Sequence, residues 1–267
     1  MLTAAYLLNV LGMIVLPIVL AFYVTRKFSL PWKLIFAGGL TFIASQVLHI
    51  PFLYGLTAMF TAGILPSIPP AWTSLFNAIL LGLLAGIFEE TARWILFKFI
   101  LKDAKTWEQG VVVGTGYGGT EAIIIGLLAL TTVVNMLILR NADLSAMVPP
   151  ELLEVTKQKV AEFWSVPVYM AFLGLIERAF TICIQISLTI MVLYSVVYRK
   201  PAWFWIALFW HALVDALAVY LLPSIGALAI ELVIGIFAAI SLVIVFRLRS
   251  NFIPPSASTA PLAKPGS

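Results

Sequence analysis

Charged residues, histidine and cysteine are all scarce in this chain of 267 residues. Only 10% of the residues are charged, against roughly 25% in soluble domains, while 62% are hydrophobic. This balance excludes a soluble globular domain and an intrinsically disordered chain. The single cysteine, Cys183, cannot form an internal disulfide, which excludes a secreted disulfide scaffold. The mean hydropathy of +1.07 instead indicates a protein of the lipid bilayer.

Seven apolar stretches are long enough to cross a membrane, which takes about 20 residues. They cover roughly 2–24, 34–56, 73–101, 111–139, 168–198, 202–222 and 225–246. Because they are longer and more uniformly apolar than barrel strands, we expect an all-α polytopic membrane protein with one seven-helix domain over 1–249. The Pro-, Ser- and Ala-rich residues 250–267 are predicted to form a disordered tail.

The lysines and arginines outside the spans are distributed unevenly between alternate loops. Eleven lie on one side of the predicted membrane and three on the other. Because positive loops stay in the cytoplasm, we expect an outside N-terminus and a cytoplasmic C-terminus, in a prokaryotic cytoplasmic membrane. The first span has no positive residue before it and is interpreted as a retained helix rather than a signal peptide. Since the net charge of +4 reflects orientation, no nucleic-acid partner is expected.

Ten ionisable residues lie inside the predicted spans. A charge near the bilayer centre costs at least about 2.5–3.5 kcal/mol, more than packing alone would require. Counting the helical rise from the cytoplasmic ends places His211 and the acids of the third, fourth and sixth spans at a similar depth of roughly 14–20 Å. The ten are Glu89, Glu90, Arg93, Glu121, Glu177, Arg178, Asp215, Glu231, His49 and His211.

Two spacings predict preformed side-chain pairs. Glu89 and Glu90 precede Arg93 by four and three residues, so both carboxylates can reach one guanidinium on the third helix. His211 and Asp215 are four apart, the arrangement in which a carboxylate holds the second nitrogen of an imidazole. These pairs are interpreted as parts of a functional site, with purely structural pairing as the alternative.

Glycines in the third and fourth spans suggest which helices meet. Gly82-x-x-x-Gly86 leads along one face to the acids of the third span, and Gly114-x-x-x-Gly118 leads to Glu121 in the fourth. Small residues at this spacing permit close approach of two backbones. We therefore expect the third and fourth helices to meet, with their acidic residues facing each other.

The remaining polar features receive structural interpretations. Glu177 and Arg178 are adjacent, so their side chains should diverge and each should find a partner on another helix. His49 and Glu231 are interpreted as interfacial or packing residues. Residues 149–164 are predicted to form a short surface helix, either a connector or a lid.

The available side chains favour hydrolysis over other membrane chemistry. The chain has no H-E-x-x-H motif, no serine elbow and one aspartate within its spans. A carboxylate held by arginine, together with a histidine, could activate water directly, with no cofactor. Alternatively, a divalent metal, with zinc as the expected ion, could be bound by His211, Glu90 and Glu121.

Four motifs together resemble the YhfC family of intramembrane metalloproteases. They are FEETAR in the third span, GTGYGGTEA in the fourth, IER in the fifth and HALVD in the sixth. That family is related to the PrsW and CAAX-processing (CPBP) membrane proteases and to a multispanning subunit of γ-secretase. The resemblance covers the chain from span three to span six. It implies hydrolysis of a peptide bond in or beside the membrane, with a membrane-embedded or membrane-proximal protein as substrate.

The resemblance also implies roles for individual residues. Glu89 and Glu90 with Arg93 match the E-E-x-x-R motif that carries the water-activating glutamate. His211 and Asp215 match the H-x-x-x-D/N motif assigned to metal binding or to oxyanion stabilisation. Peptidase activity is therefore the expected function.

The fourth span departs from the family pattern. Relatives often have histidine inside the glycine motif, where this sequence has Tyr117. A tyrosine can donate a hydrogen bond to an oxyanion but is a poor zinc ligand, so either Glu121 completes the site or peptidase activity is lost. Two other functions stay open: a proton-coupled transporter, since membrane carboxylates also form proton relays, and a non-catalytic scaffold or regulator of another membrane protein.

Overall fold

A computed structural model describes residues 1–252 of the chain. Most of the predicted C-terminal tail, residues 253–267, lies outside the described residues. Phe252, near the start of that tail, packs its ring against Tyr194 and Tyr198. The regular secondary structure of the described part is entirely helical.

Seven helices are long and apolar enough to cross a membrane, which confirms the predicted all-α fold with seven spans. Helices satisfy their own backbone hydrogen bonds, as a lipid environment requires. In chain order, the helices are α1 (Leu2–Phe28), α2 (Lys33–Thr61), α3 (Pro70–Ile95), α4 (Trp107–Asn141), α5 (Leu144–Met147), α6 (Pro150–Ser165), α7 (Leu173–Val197), α8 (Ala202–Ile225) and α9 (Ala227–Arg249). A π-helical turn, Leu96–Ile100, continues α3, and a 3₁₀ turn, Val168–Phe172, precedes α7. The short α5 and the surface helix α6 do not count among the spans.

The helix ends follow local sequence signals. α4 begins with a capping box, in which the backbone N–H of Gln109 donates to Thr106 Oγ1 and the Gln109 side chain accepts from the backbone N–H of Thr106. Pro70 and Pro150 occupy the first turns of α3 and α6, where a missing N–H costs nothing. The predicted short helix is thus confirmed as α6, while its position on the membrane surface and its role as connector or lid stay predictions.

α7 lies at the centre of the bundle. It packs against α1, α3, α4, α8 and α9, and residues 187–193 are fully buried. Around it, α3 packs mainly on α8, and α4 packs on α1 and α2. Polar side chains on α7 therefore lie between helices that carry the acidic residues.

The glycine-containing faces of α3 and α4 do not pack against each other, as was expected, but against α8 and α7. A Cβ on Gly82 would lie 2.3 Å from the carbonyl oxygen of Ala212 on α8, and Gly86 faces the same helix. A Cβ on Gly114 would lie 2.8 Å from the Cα of Ile186 on α7. The prediction that these glycines join the third and fourth spans is therefore wrong. Small residues show that a backbone approaches closely, but they do not identify the helix to which it belongs.

Candidate active site

The centre of the site is a buried ion pair on α3. The side chains of Glu90 and Arg93 are both 0% exposed, and Arg93 Nη1 donates to Glu90 Oε1. The three-residue spacing places both groups on one helix face, as the sequence predicted. The second guanidinium nitrogen of Arg93 donates to Gln185 Oε1 on α7. The Arg93 guanidinium is therefore held from two helices.

His211 on α8 is oriented by Glu90 rather than by its own helix. Its Nδ1 lies 2.7 Å from Glu90 Oε1, a good hydrogen-bond distance. Its Nε2 lies 3.5 Å from Asp215 Oδ2 and 3.9 Å from Glu89 Oε2. The expected Asp215 partner is thus close, but Glu90 makes the short bond. Nε2 is left facing two carboxylates.

Glu89 is fixed by groups from α2 and α4. Its Oε1 accepts a hydrogen bond of 3.0 Å from Gln46 Nε2, and its Oε2 accepts one of 3.1 Å from the Tyr117 hydroxyl. Ser45 Oγ lies 3.2 Å from the same hydroxyl. The Tyr117 ring also covers the guanidinium of Arg93, whose Cζ lies 3.6 Å from the ring centroid. Tyr117 therefore contacts both Glu89 and Arg93 of α3.

Glu121 on α4 belongs to a neighbouring part of the same polar network. Its Oε1 accepts from Arg178 Nη1 at 2.9 Å and its Oε2 accepts from Gln185 Nε2 at 2.6 Å. Since Gln185 also accepts from Arg93, Glu121 is connected to the α3 pair through one amide. Both Glu121 oxygens are occupied, which leaves this carboxylate poorly suited to bind a metal.

Glu177 and Arg178 do not diverge as expected. Arg178 Nη2 donates to Glu177 Oε1, so the two adjacent residues pair with each other as well as with Glu121. The long guanidinium can fold back across one residue because its fork offers two donor nitrogens. The expectation that Glu177 pairs with another helix is therefore wrong, while that for Arg178 is confirmed.

Three uncharged residues complete the network and were not singled out from the sequence: Ser45, Gln46 and Gln185. The sequence feature that could have identified them is an uncharged polar side chain inside an apolar span. Such side chains form hydrogen bonds with another helix. Gln185 also lies seven residues after Arg178, two helical turns along the same face of α7. This spacing could have placed it beside the other polar residues.

Several buried polar atoms around the site lack a hydrogen-bond partner among residues 1–252. They include Glu90 Oε2, Arg93 Nε and both ring nitrogens of His49. His49 stacks on Phe88, with ring centroids 5.2 Å apart, one residue before Glu89. The unsatisfied atoms of Glu90 and Arg93, which belong to one ion pair, indicate that water or a polar ligand binds beside that pair.

The predicted metal ligands are not arranged around one point. Across the described residues, no group of three or more His, Cys, Asp or Glu side chains could hold a metal ion. Glu121 is occupied by Arg178 and Gln185, and Glu90 Oε1 is shared by Arg93 and His211. A divalent ion here would also face the guanidinium of Arg93, which already neutralises the carboxylate beside it. These residues do not fit a metal in this arrangement, and we assign no step to one.

The site reaches the surface of the bundle through its acids. The Asp215 side chain is 41% exposed and that of Glu89 is 8% exposed, while the His211 side chain between them is 5% exposed. Glu89 Oε2 and Asp215 Oδ2 thus lie 3.9 Å and 3.5 Å from His211 Nε2, and Asp215 is the exposed member of this group. A carboxylate and an imidazole this close together can hold a water molecule and take its proton.

Comparisons with known proteins found a family match and a bacterial relative. The chain matches the model of the YhfC intramembrane metalloprotease family over residues 12–238. It is 30% identical over 250 residues to a Bacillus subtilis (strain 168) protein named uncharacterized membrane protein YhfC. That alignment covers 89% of this chain and 92% of the relative. No solved structure matches the chain.

Proposed function

Because the chain belongs to the YhfC intramembrane metalloprotease family and is a multi-pass membrane protein, we propose that it hydrolyses a peptide bond in or next to the membrane. The observation that supports this most is the pair formed by Glu89 Oε2 and His211 Nε2, 3.9 Å apart. Each atom belongs to a side chain that other helices hold in place. A preorganised base and hydrogen-bonding group of this kind is what water activation requires.

In the proposed reaction, Glu89 is the general base. A water molecule bound between Glu89 and His211 attacks the carbonyl carbon of the peptide bond, and its proton passes to Glu89 Oε2. The carbon–nitrogen bond of the tetrahedral intermediate then breaks, and Glu89 returns the proton to the leaving amine. His211 Nε2 orients the attacking water throughout.

Glu90, Arg93 and Tyr117 are positioning residues in this scheme. Glu90 holds His211 Nδ1 so that Nε2 faces Glu89, the arrangement seen when a carboxylate orients a catalytic imidazole. Arg93 neutralises Glu90, and the Tyr117 hydroxyl holds Glu89. Tyr117 thus replaces the histidine of relatives with a hydrogen-bond donor, which is compatible with a glutamate base and needs no metal ligand at this position.

An apolar groove supports a membrane-embedded substrate. It has a volume of about 600 Å³ and lies between α2 and α3, with side chains such as Leu40, Leu48 and Ile95 on its walls. Ser45 also lines the groove, and it contacts the Tyr117 hydroxyl that holds Glu89. A hydrophobic peptide segment in this groove would lie next to the catalytic cluster without leaving the lipid.

The test is hydrolysis by purified protein in lipid vesicles, using synthetic peptides that carry one transmembrane segment. In heavy-oxygen water, each cleavage by the wild type should place one heavy oxygen in the new carboxyl terminus, read by mass spectrometry. Glu89→Gln keeps the side-chain shape but removes the base, and it should lower the rate by at least about a hundredfold. Glu231→Gln, which alters another buried span carboxylate, is the matched control and should keep wild-type activity.

Wild-type protein that leaves every peptide intact, with Glu89→Gln changing only thermal stability, would contradict the proposal. That result would favour the scaffold or regulator. Equal loss of activity in Glu231→Gln would show that any buried carboxylate matters and would remove the specific role of Glu89.

One observation favours proton transport as a second candidate function. Polar contacts run without a break from Asp215 and His211 on α8, through the α3 pair and Gln185, to the carboxylates of α4 and α7. Chains of this kind can relay protons. Glu231 on α9 does not extend this chain of contacts, because it forms no hydrogen bond with any residue between positions 1 and 252. Acidification of vesicles containing the protein, abolished by Glu121→Gln, would support transport; impermeable vesicles would exclude it.

A further inference from the structure

A separate cavity lies where α3, α7 and α8 end at the lysine- and arginine-rich side of the bundle. It has a volume of about 470 Å³ and is lined by Trp94, Lys98, Ser195, Val196, Arg199, Pro201 and Phe204. No acidic residue lines it. None of the catalytic candidates lines it either, so it is distinct from the proposed active site.

Two cations of this cavity have no counter-charge among the described residues. The side chains of Lys98 and Arg199 form no hydrogen bond or ion pair with any residue between positions 1 and 252. The neighbouring Lys200, by contrast, donates to the Tyr194 hydroxyl at 3.4 Å. The indole N–H of Trp94 also has no acceptor within the described residues. Two cations and one N–H donor therefore lie around one cavity to which residues 1–252 contribute no anion.

The backbone at Arg199 is unusual for a residue with a side chain. Its φ is +54°, in the left-handed region, and the N–H of Lys200 donates to the carbonyl of Ser195, as in the glycine-type ending of a helix. Glycine adopts this conformation without steric cost, whereas arginine does not. Residues with side chains in such strained conformations cluster at functional sites. Lys98 lies in the π-helical turn Leu96–Ile100, an irregularity often found at functional sites.

The apolar surface beside the cavity indicates which kind of anion would bind there. Beside Lys98, the apolar side chains of Ile95, Phe99 and Ile100 are 42%, 55% and 69% exposed. These surfaces suit acyl chains, and basic pockets between helix ends bind lipid head groups. We propose that Lys98 and Arg199, with Trp94, form a binding site for the phosphate of an anionic phospholipid. This site is independent of the proposed peptidase function.

Native mass spectrometry of the purified full-length protein can count retained lipids. With phosphatidylglycerol, the wild type should keep one tightly bound molecule, while with phosphatidylcholine it should not. The double variant Lys98→Gln/Arg199→Gln should weaken phosphatidylglycerol binding by about tenfold or more, because each cation near an anionic lipid contributes measurably. The control Lys102→Gln/Lys105→Gln removes two nearby charges that do not line the cavity, and it should bind like the wild type.

A second variant separates binding from folding. Arg199→Gly relieves the left-handed backbone, so in lipid-free detergent its Tm should equal or exceed that of the wild type, while phosphatidylglycerol retention falls. Equal loss of lipid in the Lys102/Lys105 control would overturn the proposal, because general attraction to positive charge would then suffice. Displacement of the lipid by inorganic phosphate at comparable concentration would also overturn it, in favour of a soluble anion.

Discussion

Arg93 shows how single side chains hold charge inside this protein. Its guanidinium is 0% exposed, yet it contacts two carboxylates, Glu90 and Glu89, one amide and the face of one aromatic ring. Removing one partner of such a pair leaves an uncompensated buried charge, whereas removing both does not. The stability of the site therefore depends on the pair as a unit.

Arg93→Met should lower the free energy of unfolding in detergent by about 3–5 kcal/mol, because it leaves Glu90 charged and buried without its guanidinium partner. Glu90→Gln/Arg93→Met should recover most of that loss. Chemical unfolding of the three proteins measures both effects. If the double variant were as unstable as the single one, the loss would come from packing and not from charge.

His49 presents the opposite case, a polar ring without partners. Both of its nitrogens are buried and unbonded within the described chain, and its ring stacks on Phe88. His49→Phe keeps the stacked ring and removes two unsatisfied atoms, so we expect stability to rise by about 1 kcal/mol. His49→Ala removes the stacking as well and should lower the Tm. A clear loss of stability in His49→Phe would mean that the nitrogens are hydrogen-bonded, for example by ordered water.

At the scale of the helices, close backbone contacts align the site. Gly82 and Gly86 let α3 approach α8, and this approach brings the α3 acids to His211. The sequence motif revealed the close approach, but the partner helix depends on how each helix is rotated in the bundle.

Gly82→Ala should therefore disturb both packing and site. Its Cβ would lie 2.3 Å from the backbone oxygen of Ala212, one residue after His211, so α8 has to move. We expect a loss of about 1–3 kcal/mol from overpacking and a lower peptidase rate. Gly55→Ala is the matched control: no atom lies within 4 Å of its added Cβ, and alanine favours the helix, so stability should not fall. Thermal unfolding that ranked the two variants equally would contradict this account.

At the scale of the whole molecule, one polar network connects the central helix α7 with α2, α3, α4 and α8. Its two guanidiniums already neutralise the buried acids Glu90 and Glu121. The protein thereby supplies the positive charge that a metal would otherwise bring to these acids.

Purified wild-type protein should therefore cleave peptides after treatment with a chelator, and elemental analysis should find less than one equivalent of transition metal. The donor geometry is the reason, because two of the predicted metal ligands, Glu90 and Glu121, are each bonded to an arginine. One equivalent of zinc in the wild type that disappears in His211→Ala would refute this expectation and restore the metal mechanism.

The sequence alone predicted the seven spans and the local pairs, because span length and three- or four-residue spacing are properties of a single helix. Glu89, Glu90 and Arg93 were placed together for this reason. The excess of lysine and arginine in alternate loops also predicts an outside N-terminus, and that orientation stays a prediction.

Only the tertiary structure decided which helices meet and which partner each side chain takes. Gln46 and Gln185 enter the network from α2 and α7, and Glu90 rather than Asp215 makes the short bond to His211. Helical periodicity determines which residues share a face, but not the direction in which that face points. Rotation and packing of the seven helices set that direction, and with it the position of Glu89 beside His211.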